Sequence, residues 1–395
     1  MSDDELNYMR ERKLPYPVFD VDNHMYETVD SFTKFLPKGY EDYIKYVEVG
    51  GRTKLALRDK ISDYIPNPTF SRIAPPGAWN NPEETRRSLP GNDAFFDAEP
   101  RLALMTDMGI DRTLMWPTLA SVLEERLADD SDAVHVIVHA FNQWILEHWT
   151  FNYKDRIFAT PIIALNIVEK AIEELEYLVD NGARIFLCRV ATVPGLRGRR
   201  SFALPEFDPF WAKVQEADIV VGMHSGDPGY QKYINEWEGY DDAEFLPFSR
   251  AGSPTFARLA SEKNPIVDAM ASMIGHGLGS RFPDLKFLPT EQGYTWIRPF
   301  VNKLQAVYEE SPVLFDEDPV ETFKRQVFCH AFHDPDPGGL AELIGIDNVL
   351  FGSDFPHPEG MHDPLAYSEV VDKLPLEDQA KIMGGNLARL MKIED

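Results

Sequence analysis

The sequence has few cysteines, a shortage of basic residues and no long apolar run, and each of these excludes a class of protein. Two of its 395 residues are cysteines, Cys188 and Cys329, so it offers no disulfide framework and no C-x-x-C metal site. Both lie in apolar runs, which predicts buried free thiols in a reducing compartment. Lysine and arginine total 39 against 65 acidic residues, and the net charge of −26 argues against nucleic acid or an anionic membrane as a partner.

Apolar segments are also too short to cross a bilayer, since no stretch approaches roughly 18 apolar residues. The charged start, M-S-D-D-E-L, lacks the apolar core of a signal peptide and predicts none. The composition, 44% hydrophobic and 26% charged, is that of an ordinary globular protein. We therefore expect a cytoplasmic protein that acts on a small molecule.

Apolar runs alternate with helical patterns along most of the chain. The runs are apolar on both faces, which predicts a parallel sheet between helical layers. Eight strands match a (β/α)8 TIM barrel formed by residues 1–395 as a single domain; an open doubly wound sheet is the alternative, although no G-x-G-x-x-G follows the first strand. The predicted strands are 18–22, 112–117, 157–164, 183–190, 219–224, 285–291, 327–332 and 349–354. The predicted helices are 98–108, 131–149, 167–179, 209–216, 256–281, 296–310, 340–344, 365–373 and 376–393.

Residues 28–97 interrupt this alternation of strands and helices after the first strand. They are rich in proline and glycine and predict a long irregular insertion. Loops of this length in compact proteins usually have a function. We expect the insertion to form a lid or a partner contact in a homodimer, with residues 361–395 closing the domain as C-terminal helices.

The first strand leads into V-F-D-V-D-N-H-M-Y-E, residues 18–27. Side chains two apart on a strand point to the same face, so Asp22 and His24 would aim at one spot. A carboxylate beside an imidazole suits a divalent metal ion. A lone D-x-H fits a capped strand end equally well, so the other strands decide between these interpretations.

Polar residues follow four further strands at the same end. His224 lies in M-H-S-G-D, Glu291 in P-T-E-Q-G and Asp354 in F-G-S-D-F-P-H, and His330 lies on the seventh strand. Each alone could be a core histidine or a plain turn. Because strand ends converge at the mouth of a barrel, their shared placement predicts one metal site.

These motifs resemble the amidohydrolase-related family, in the branch that includes aminocarboxymuconate-semialdehyde decarboxylase and resorcylate decarboxylase. The resemblance runs from about residue 17 to the closing G-G-N-L-A-R-L. It implies a TIM barrel with a divalent metal ion. It also implies metal ligands at Asp22, His24, His224 and Asp354.

The departures from that pattern bear on the reaction. The family's decarboxylases carry a catalytic histidine after strand six, where this chain has Glu291, and strand four lacks the bridging lysine of binuclear amidohydrolases. Carboxylates at Asp22, Glu291 and Asp354 beside two imidazoles suit one or two Fe or Mn ions better than one Zn. We therefore add Glu291 to the predicted metal ligands, and we predict Asp354, Glu291 and His330 as catalytic residues.

A narrower resemblance rests on D-x-D-N-H-x-Y-E, H-S-G-D, E-x-G-x-x-W and F-G-S-D-x-P-H-P-E-G. Together these are similar to the TIM-barrel nonheme diiron monooxygenases of platensimycin-type diterpenoid biosynthesis. This resemblance implies two iron ions, O2 as co-substrate and a hydrophobic, CoA-linked carboxylic acid as substrate.

Three arginines in G-L-R-G-R-R follow strand four, on the side of the barrel that carries the chemistry. Arg197, Arg199 and Arg200 would suit a substrate phosphate or carboxylate, although pairing with local acids explains them equally well.

Three functions stay open at this point. The first is an iron monooxygenase, and the second is a metal-dependent hydrolase or decarboxylase with Asp354 as general base. The third is a barrel used only as a binding scaffold. Zn or Mn would accompany the second, and iron the first.

Overall fold

Eight parallel strands, here named β1 to β8, form the centre of the molecule. The structure is a computed structural model that describes residues 12–62, 65, 67–79, 81–120, 123–195, 198–239, 255–256, 259, 264–331 and 336–393. The strands are β1 (Phe19–Asp20, continued by His24–Met25), β2 (Arg112–Pro117), β3 (Ile157–Ala159, continued by Ile162–Ile163), β4 (Ile185–Cys188), β5 (Val220–His224), β6 (Phe287–Thr290), β7 (Cys329–His330) and β8 (Val349–Leu350).

Hydrogen bonds connect these strands in sequence order and return to the first. Parallel ladders join β1 to β2, β2 to β3, β3 to β4, β4 to β5, β5 to β6 and β7 to β8. The amide of Phe328 donates to the carbonyl of Phe287, which joins β6 to β7. The amide of Val21 donates to the carbonyl of Phe351 at 2.9 Å, which joins β8 to β1. This cyclic order is that of a TIM barrel, and the open doubly wound alternative is wrong.

Helices alternate with the strands and cover the outside of the barrel. The predicted helix over 98–108 is found at Ala98–Met108, where Gly109 ends it with a left-handed φ of 76°. The helix Pro319–Gln326 was not predicted, although Asp318 caps it by accepting the amides of Val320 and Glu321. The α-helices are Pro82–Thr85, Ala98–Met108, Leu123–Arg126, Ser131–His148, Val168–Asp180, Asp208–Ala217, Gln231–Glu238, Asn264–Gly275, Leu278–Arg281, Ile297–Glu310, Pro319–Gln326, Pro337–Ile344, Ser368–Val371, Leu376–Ala380 and Asn386–Leu390.

Shorter helical turns complete the pattern. A π-helical turn covers Lys381–Gly385 within the C-terminal helices, and the 3-10 turns are Asp93–Phe95, Pro205–Phe207, Pro312–Leu314, Ile346–Asn348 and Pro364–Tyr367. The helix predicted over 256–281 begins in a stretch of which 257–258 and 260–263 lie outside the described residues. None of the described helices is long and apolar enough to cross a membrane.

The prediction that residues 28–97 are irregular is wrong. They contain a three-stranded antiparallel sheet, Ile44–Val49, Arg52–Leu57 and Lys60–Ser62, and a second small pairing of Arg72–Ile73 with Leu89–Pro90. Gly50 and Gly51 form the turn of the first hairpin, both at positive φ (58° and 73°). A two-residue turn of this type requires positive φ at both positions, which glycine adopts without strain.

The insertion also touches the loop that follows β8. The amide of Trp79 donates to the carbonyl of Pro358 at 2.7 Å, and that of Gly77 to His357 at 3.3 Å. The ring of Tyr26 stacks on Phe70 with centroids 4.2 Å apart. One face of the insertion therefore lies against the carboxyl ends of β1 and β8.

Alternate strand residues fill the inside of the barrel. Leu114 and Trp116 of β2 belong to the same apolar cluster as Val220 of β5, whereas Met115 between them packs against the helices. Gly222 on β5 makes room for the Trp116 ring, since a Cβ there would lie 2.7 Å from its Cζ3. Trp116 in turn lies 5.0 Å, centroid to centroid, from the imidazole of His224. The packed interior thus supports one of the predicted ligands directly.

Candidate metal centre

Asp22 and His24 come together at the carboxyl end of β1. The Asp22 carboxylate faces two imidazoles, because Oδ1 lies 3.4 Å from Nε2 of His24 and 3.4 Å from Nε2 of His224. The two rings meet edge to face with centroids 4.8 Å apart. All three side chains are buried. Their spacing leaves the nitrogen and oxygen atoms facing a common point.

Glu291 and Asp354 complete the set that the strand ends predict. Nε2 of His24 lies 3.3 Å from Oδ1 of Asp354, and Nε2 of His224 lies 3.5 Å from Oε2 of Glu291. Both acids have left-handed backbones, with φ of 56° at Glu291 and 55° at Asp354. This conformation is unusual for residues other than glycine, and strain of this kind concentrates at functional sites.

His357 and Glu359 also reach this centre, although they are not among the predicted ligands. Nδ1 of His357 lies 2.8 Å from Oδ1 of Asp354, and its ring stacks on His24 with centroids 3.9 Å apart. Glu359 groups with Glu291 and Asp354. Both residues lie in the motif F-P-H-P-E-G directly after Asp354. The sequence pattern alone does not show that this segment folds back towards Asp354.

Among the described residues, the possible ligands form three overlapping groups. Within each group one ligand atom per residue lies within 4.8 Å of the others. His24 and Asp354 are each shared by two groups, so the groups are continuous. They are Asp22, His24 and His224; His24, Asp354 and His357; and Glu291, Asp354 and Glu359.

His330 lies beside this centre but faces the backbone. Its Nε2 accepts the amide of Glu291 at 2.8 Å and lies 3.5 Å from Oδ2 of Asp22. The ring is fully buried, and a Cβ at Gly352 would lie 2.7 Å from its Nδ1. This geometry holds the end of β6 in place, and the catalytic role of His330 stays a prediction.

A buried hydrogen-bond network holds β1 against the loop after β8. Asp20 accepts the amides of Asp22 (3.0 Å) and Ser353 (2.9 Å), and the side-chain amide of Asn23 (2.9 Å). Burial raises the pKa of Asp20 to about 7. Arg101, also buried, donates to Oδ1 of Asn23 at 2.7 Å and to the carbonyl of His24. Such support orients metal ligands and limits their movement.

The charges at the centre fit a bound cation. Burial, and after it the charge of Asp354, raises the pKa of Glu291 well above its ordinary value. Burial, and after it the charge of Asp22, raises the pKa of Asp354 well above its ordinary value. Burial lowers the pKa of His24 well below its ordinary value, which keeps the imidazole neutral and able to bind metal. Cations between the carboxylates would remove this mutual repulsion.

Buried polar atoms without hydrogen-bond partners also indicate a bound cation. They include Oδ2 of Asp22, Nε2 of His24 and Oδ2 of Asp354, whereas Nδ1 of His357 and Oδ1 of Asp354 face each other at 2.8 Å without the alignment of a hydrogen bond. Buried polar atoms are costly when unsatisfied, so a cluster of them calls for a ligand. Each of these atoms is a metal-ligand type, and the residues present therefore fit divalent metal ions.

Of the three predicted substrate arginines, the two that the structure describes pair with nearby acids. Arg199 pairs with Glu125, with Nη2 2.6 Å from Oε1, and Arg200 pairs with Glu206 at 3.0 Å. Arg197 lies outside the described residues. For Arg199 and Arg200 the geometry is therefore that of local ion pairs, and their role in substrate binding stays a prediction.

A TIM barrel with clustered carboxylates and imidazoles at the carboxyl ends of its strands defines a metal-dependent barrel enzyme. The chain belongs to the amidohydrolase family: a family model described as Amidohydrolase matches residues 59–393. A solved amidohydrolase from Mycobacterium avium subsp. paratuberculosis K-10 is 34% identical to it, with a TM-score of 0.89, over 96% of this chain and 100% of that chain. The amidohydrolase-related resemblance of the sequence is thereby confirmed.

More distant solved structures share the fold. A 2,6-dihydroxybenzoate decarboxylase from Rhizobium is 16% identical over 96% of this chain and 100% of its own, with a TM-score of 0.60. A 5-carboxyvanillate decarboxylase from Novosphingobium aromaticivorans DSM 12444, complexed with manganese and 4-hydroxy-3-methoxy-5-nitrobenzoic acid, is 15% identical over 96% of each chain, with a TM-score of 0.56. At these identities the likeness extends to the fold alone.

Proposed function

We propose that the protein is a metal-dependent hydrolase that binds two divalent ions at the barrel mouth and acts on a small organic substrate. The observation that carries this proposal is the overlap of the three ligand groups. His24 belongs to the first and second groups, and Asp354 belongs to the second and third. One ion would be held by Asp22, His24 and His224, and the other by Asp354, Glu291 and Glu359 with His357 beside it. Mn and Zn suit such nitrogen and oxygen ligands.

Bound metal ions would supply a Lewis acid that polarises a carbonyl and lowers the pKa of water. The chain's own residues would then position and deprotonate that water. Asp354 is the residue we assign as general base, because its buried Oδ2 has no hydrogen-bond partner and its Oδ1 lies 3.3 Å from Nε2 of His24 in the centre. The balanced reaction adds water across the scissile bond and releases an acid and an amine or alcohol.

Decarboxylation is supported less well by the side chains at the mouth. The decarboxylases that the sequence resembles carry a catalytic histidine after strand six, where this chain has Glu291, an acid that we assign to the second ion. The chain therefore lacks that histidine at this position. Hydrolysis needs only water and a general base, and it is the reaction that this set of residues favours.

A second candidate is an iron-dependent monooxygenase acting on a hydrophobic, CoA-linked acid. The observation that favours it is the number of carboxylates, because Asp22, Glu291, Asp354 and Glu359 together form an oxygen-rich set that iron accepts readily. This reaction would consume O2 and two electrons from an added reductant, whereas hydrolysis needs neither. Oxygen dependence therefore separates the two candidates.

We also propose that residues 28–97 cover part of the mouth. The contacts of Gly77 and Trp79 with the backbone of His357 and Pro358 support this role. These contacts involve the same loop that carries two possible ligands, so the cover and the centre would move together.

The reaction class can be tested with metal-free protein reconstituted separately with Mn²⁺, Zn²⁺ and Fe²⁺. We expect a panel of amides, esters and lactones to be hydrolysed by the Mn or Zn form equally well with and without O2. Asp354→Asn should keep the fold by circular dichroism and lose turnover by about 100-fold or more, the range of general-base catalysis. Turnover by the iron form alone, with O2 consumption matching product, would replace the hydrolase with the monooxygenase.

A further inference from the structure

A second cluster of charged residues lies on the rim of the barrel, away from the proposed metal ligands. It is built by the segments that follow β2, β4 and β5. Arg189 comes directly after β4, and its Nε donates to the carbonyl of Asp227 at 3.1 Å. Asp227 lies three residues after His224. The cluster thus occupies the same end of the barrel as the candidate metal centre.

Arg189 is nine-tenths buried and only partly satisfied. Its side chain is 10% exposed, and its Nη2 donates to Glu125. Its Nη1 is buried and has no hydrogen-bond partner. A guanidinium carries five N–H donors, and leaving buried charged donors unpaired is costly. These Nη1 donors therefore call for an acceptor supplied by a ligand.

The charges around Arg189 leave room for one anion. Arg126 pairs with Asp227 at 3.0 Å, and Glu125 is shared between Arg189 and Arg199. Among the described residues of this cluster, three guanidinium groups therefore lie beside two paired carboxylates. A further described acid is Glu124, whose pKa burial raises to about 7, so it is only partly ionised at neutral pH. This local positive excess contrasts with the net charge of −26.

The cleft beside Arg189 is apolar on its other walls. Leu165, Val193 and Phe202 are buried and line it together with Cys188, and Glu124 stands at its edge. An apolar lining with one convergent charged group is typical of sites for small organic molecules. The cleft has a volume of about 10 Å³, room for about one water molecule, so an acid with an apolar body would enter only if these walls move apart.

We propose that Arg189 forms a recognition site for the carboxylate of a substrate with an apolar body, at the barrel rim. This proposal rests on the proposed function, since it specifies the class of molecule that the metal centre would act on. The carboxylate would be recognised at the rim and left unreacted, while the bond to be cleaved would reach the metal centre. A guanidinium suits this task because its planar donors match carboxylate oxygens.

The test uses benzoate and its neutral counterpart benzamide as probes in calorimetric titrations of the full chain. We expect benzoate to bind about ten-fold or more tightly than benzamide, because only benzoate pairs with the cation. Arg189→Met should weaken benzoate binding about ten-fold or more, and Arg189→Lys should give an intermediate loss. Arg184→Gln, which changes an exposed arginine at the opposite end of β4, should change it by less than about two-fold, because exposed charges contribute little.

Metal content separates this site from the metal centre. Each titration is repeated on chelator-treated protein, and bound metal is measured in every variant. Benzoate binding that survives both metal removal and Arg189→Met, or that is equal to benzamide binding, would overturn the proposal. So would binding that disappears on metal removal and persists in Arg189→Met. Should Arg189→Met fail to fold, Arg189→Lys and the two probes on the unmodified protein decide.

Discussion

Replacing Glu291 with glutamine should lower the bound metal from about two ions per chain to about one and abolish turnover, with the fold intact. Glutamine keeps the shape of the side chain but removes its charge. Oε2 of Glu291 lies 3.5 Å from Nε2 of His224, and the carboxylate groups with Asp354 and Glu359. Because this acid is only partly exposed and lies beside like charges, its simplest role is to bind a cation.

A purely structural Glu291 would tolerate glutamine with a loss of about 1 kcal/mol in the free energy of unfolding. The matched control is Glu310→Gln, which changes an exposed glutamate at the end of the following helix. It should alter neither metal content nor activity. Mass spectrometric metal analysis and circular dichroism decide the outcome. Full metal content together with full activity in Glu291→Gln would show that Glu291 holds no ion and would contradict the assignment of a second ion to this acid.

Replacing Arg101 with methionine should destabilise the protein by roughly 3 kcal/mol and weaken metal binding about ten-fold. Arg101 is 1% exposed and donates to Asn23, to the carbonyl of His24 and to the carbonyl of Ala94. Its guanidinium also lies over the rings of Phe95 and Phe355, 5.6 and 5.4 Å from their centroids. Methionine fills a similar volume but leaves these acceptors unpaired, so both the insertion and the backbone of His24 should loosen.

Arg52→Met is the matched control, because Arg52 is an exposed residue of the insertion hairpin. It should shift the free energy of unfolding by less than about 0.5 kcal/mol. Urea denaturation and metal titration measure the two effects separately. An Arg101→Met protein that matches the unmodified protein in both would show that this network supports neither the fold nor the centre.

Much of the barrel could be predicted because buried parallel strands leave a simple pattern. Residues 112–117 are apolar on both faces, and the structure has β2 at those bounds. The rule that polar residues at strand ends share one mouth brought Asp22, His224 and Asp354 into the prediction, and the structure places them together. The hydrophobic pattern and the barrel topology were sufficient to predict these three residues, because a closed barrel brings the carboxyl ends of all its strands to one mouth.

Other features depend on local geometry that the patterns do not encode. His357 and Glu359 reach the centre because the chain reverses after Asp354, at a left-handed φ of 55°. His330 fits the strand-end rule, yet it accepts a backbone amide. The sequence predicts an irregular insertion because proline and glycine recur along it, although Gly50 and Gly51 between alternating residues mark a hairpin. Hydrogen-bond partners of side chains and conformations of turns depend on the folded structure, so the sequence pattern does not predict them.

Metal analysis of the purified, unmodified chain by inductively coupled plasma mass spectrometry tests the central claim most directly. After reconstitution with Mn²⁺ or Zn²⁺ and removal of unbound metal, we expect about two ions per chain, the number that the overlapping ligand groups can hold. His24→Ala and Asp354→Ala should each reduce this number, since these residues are shared between groups. A stoichiometry near zero in reconstituted, folded protein would contradict the assignment of this site as a metal centre.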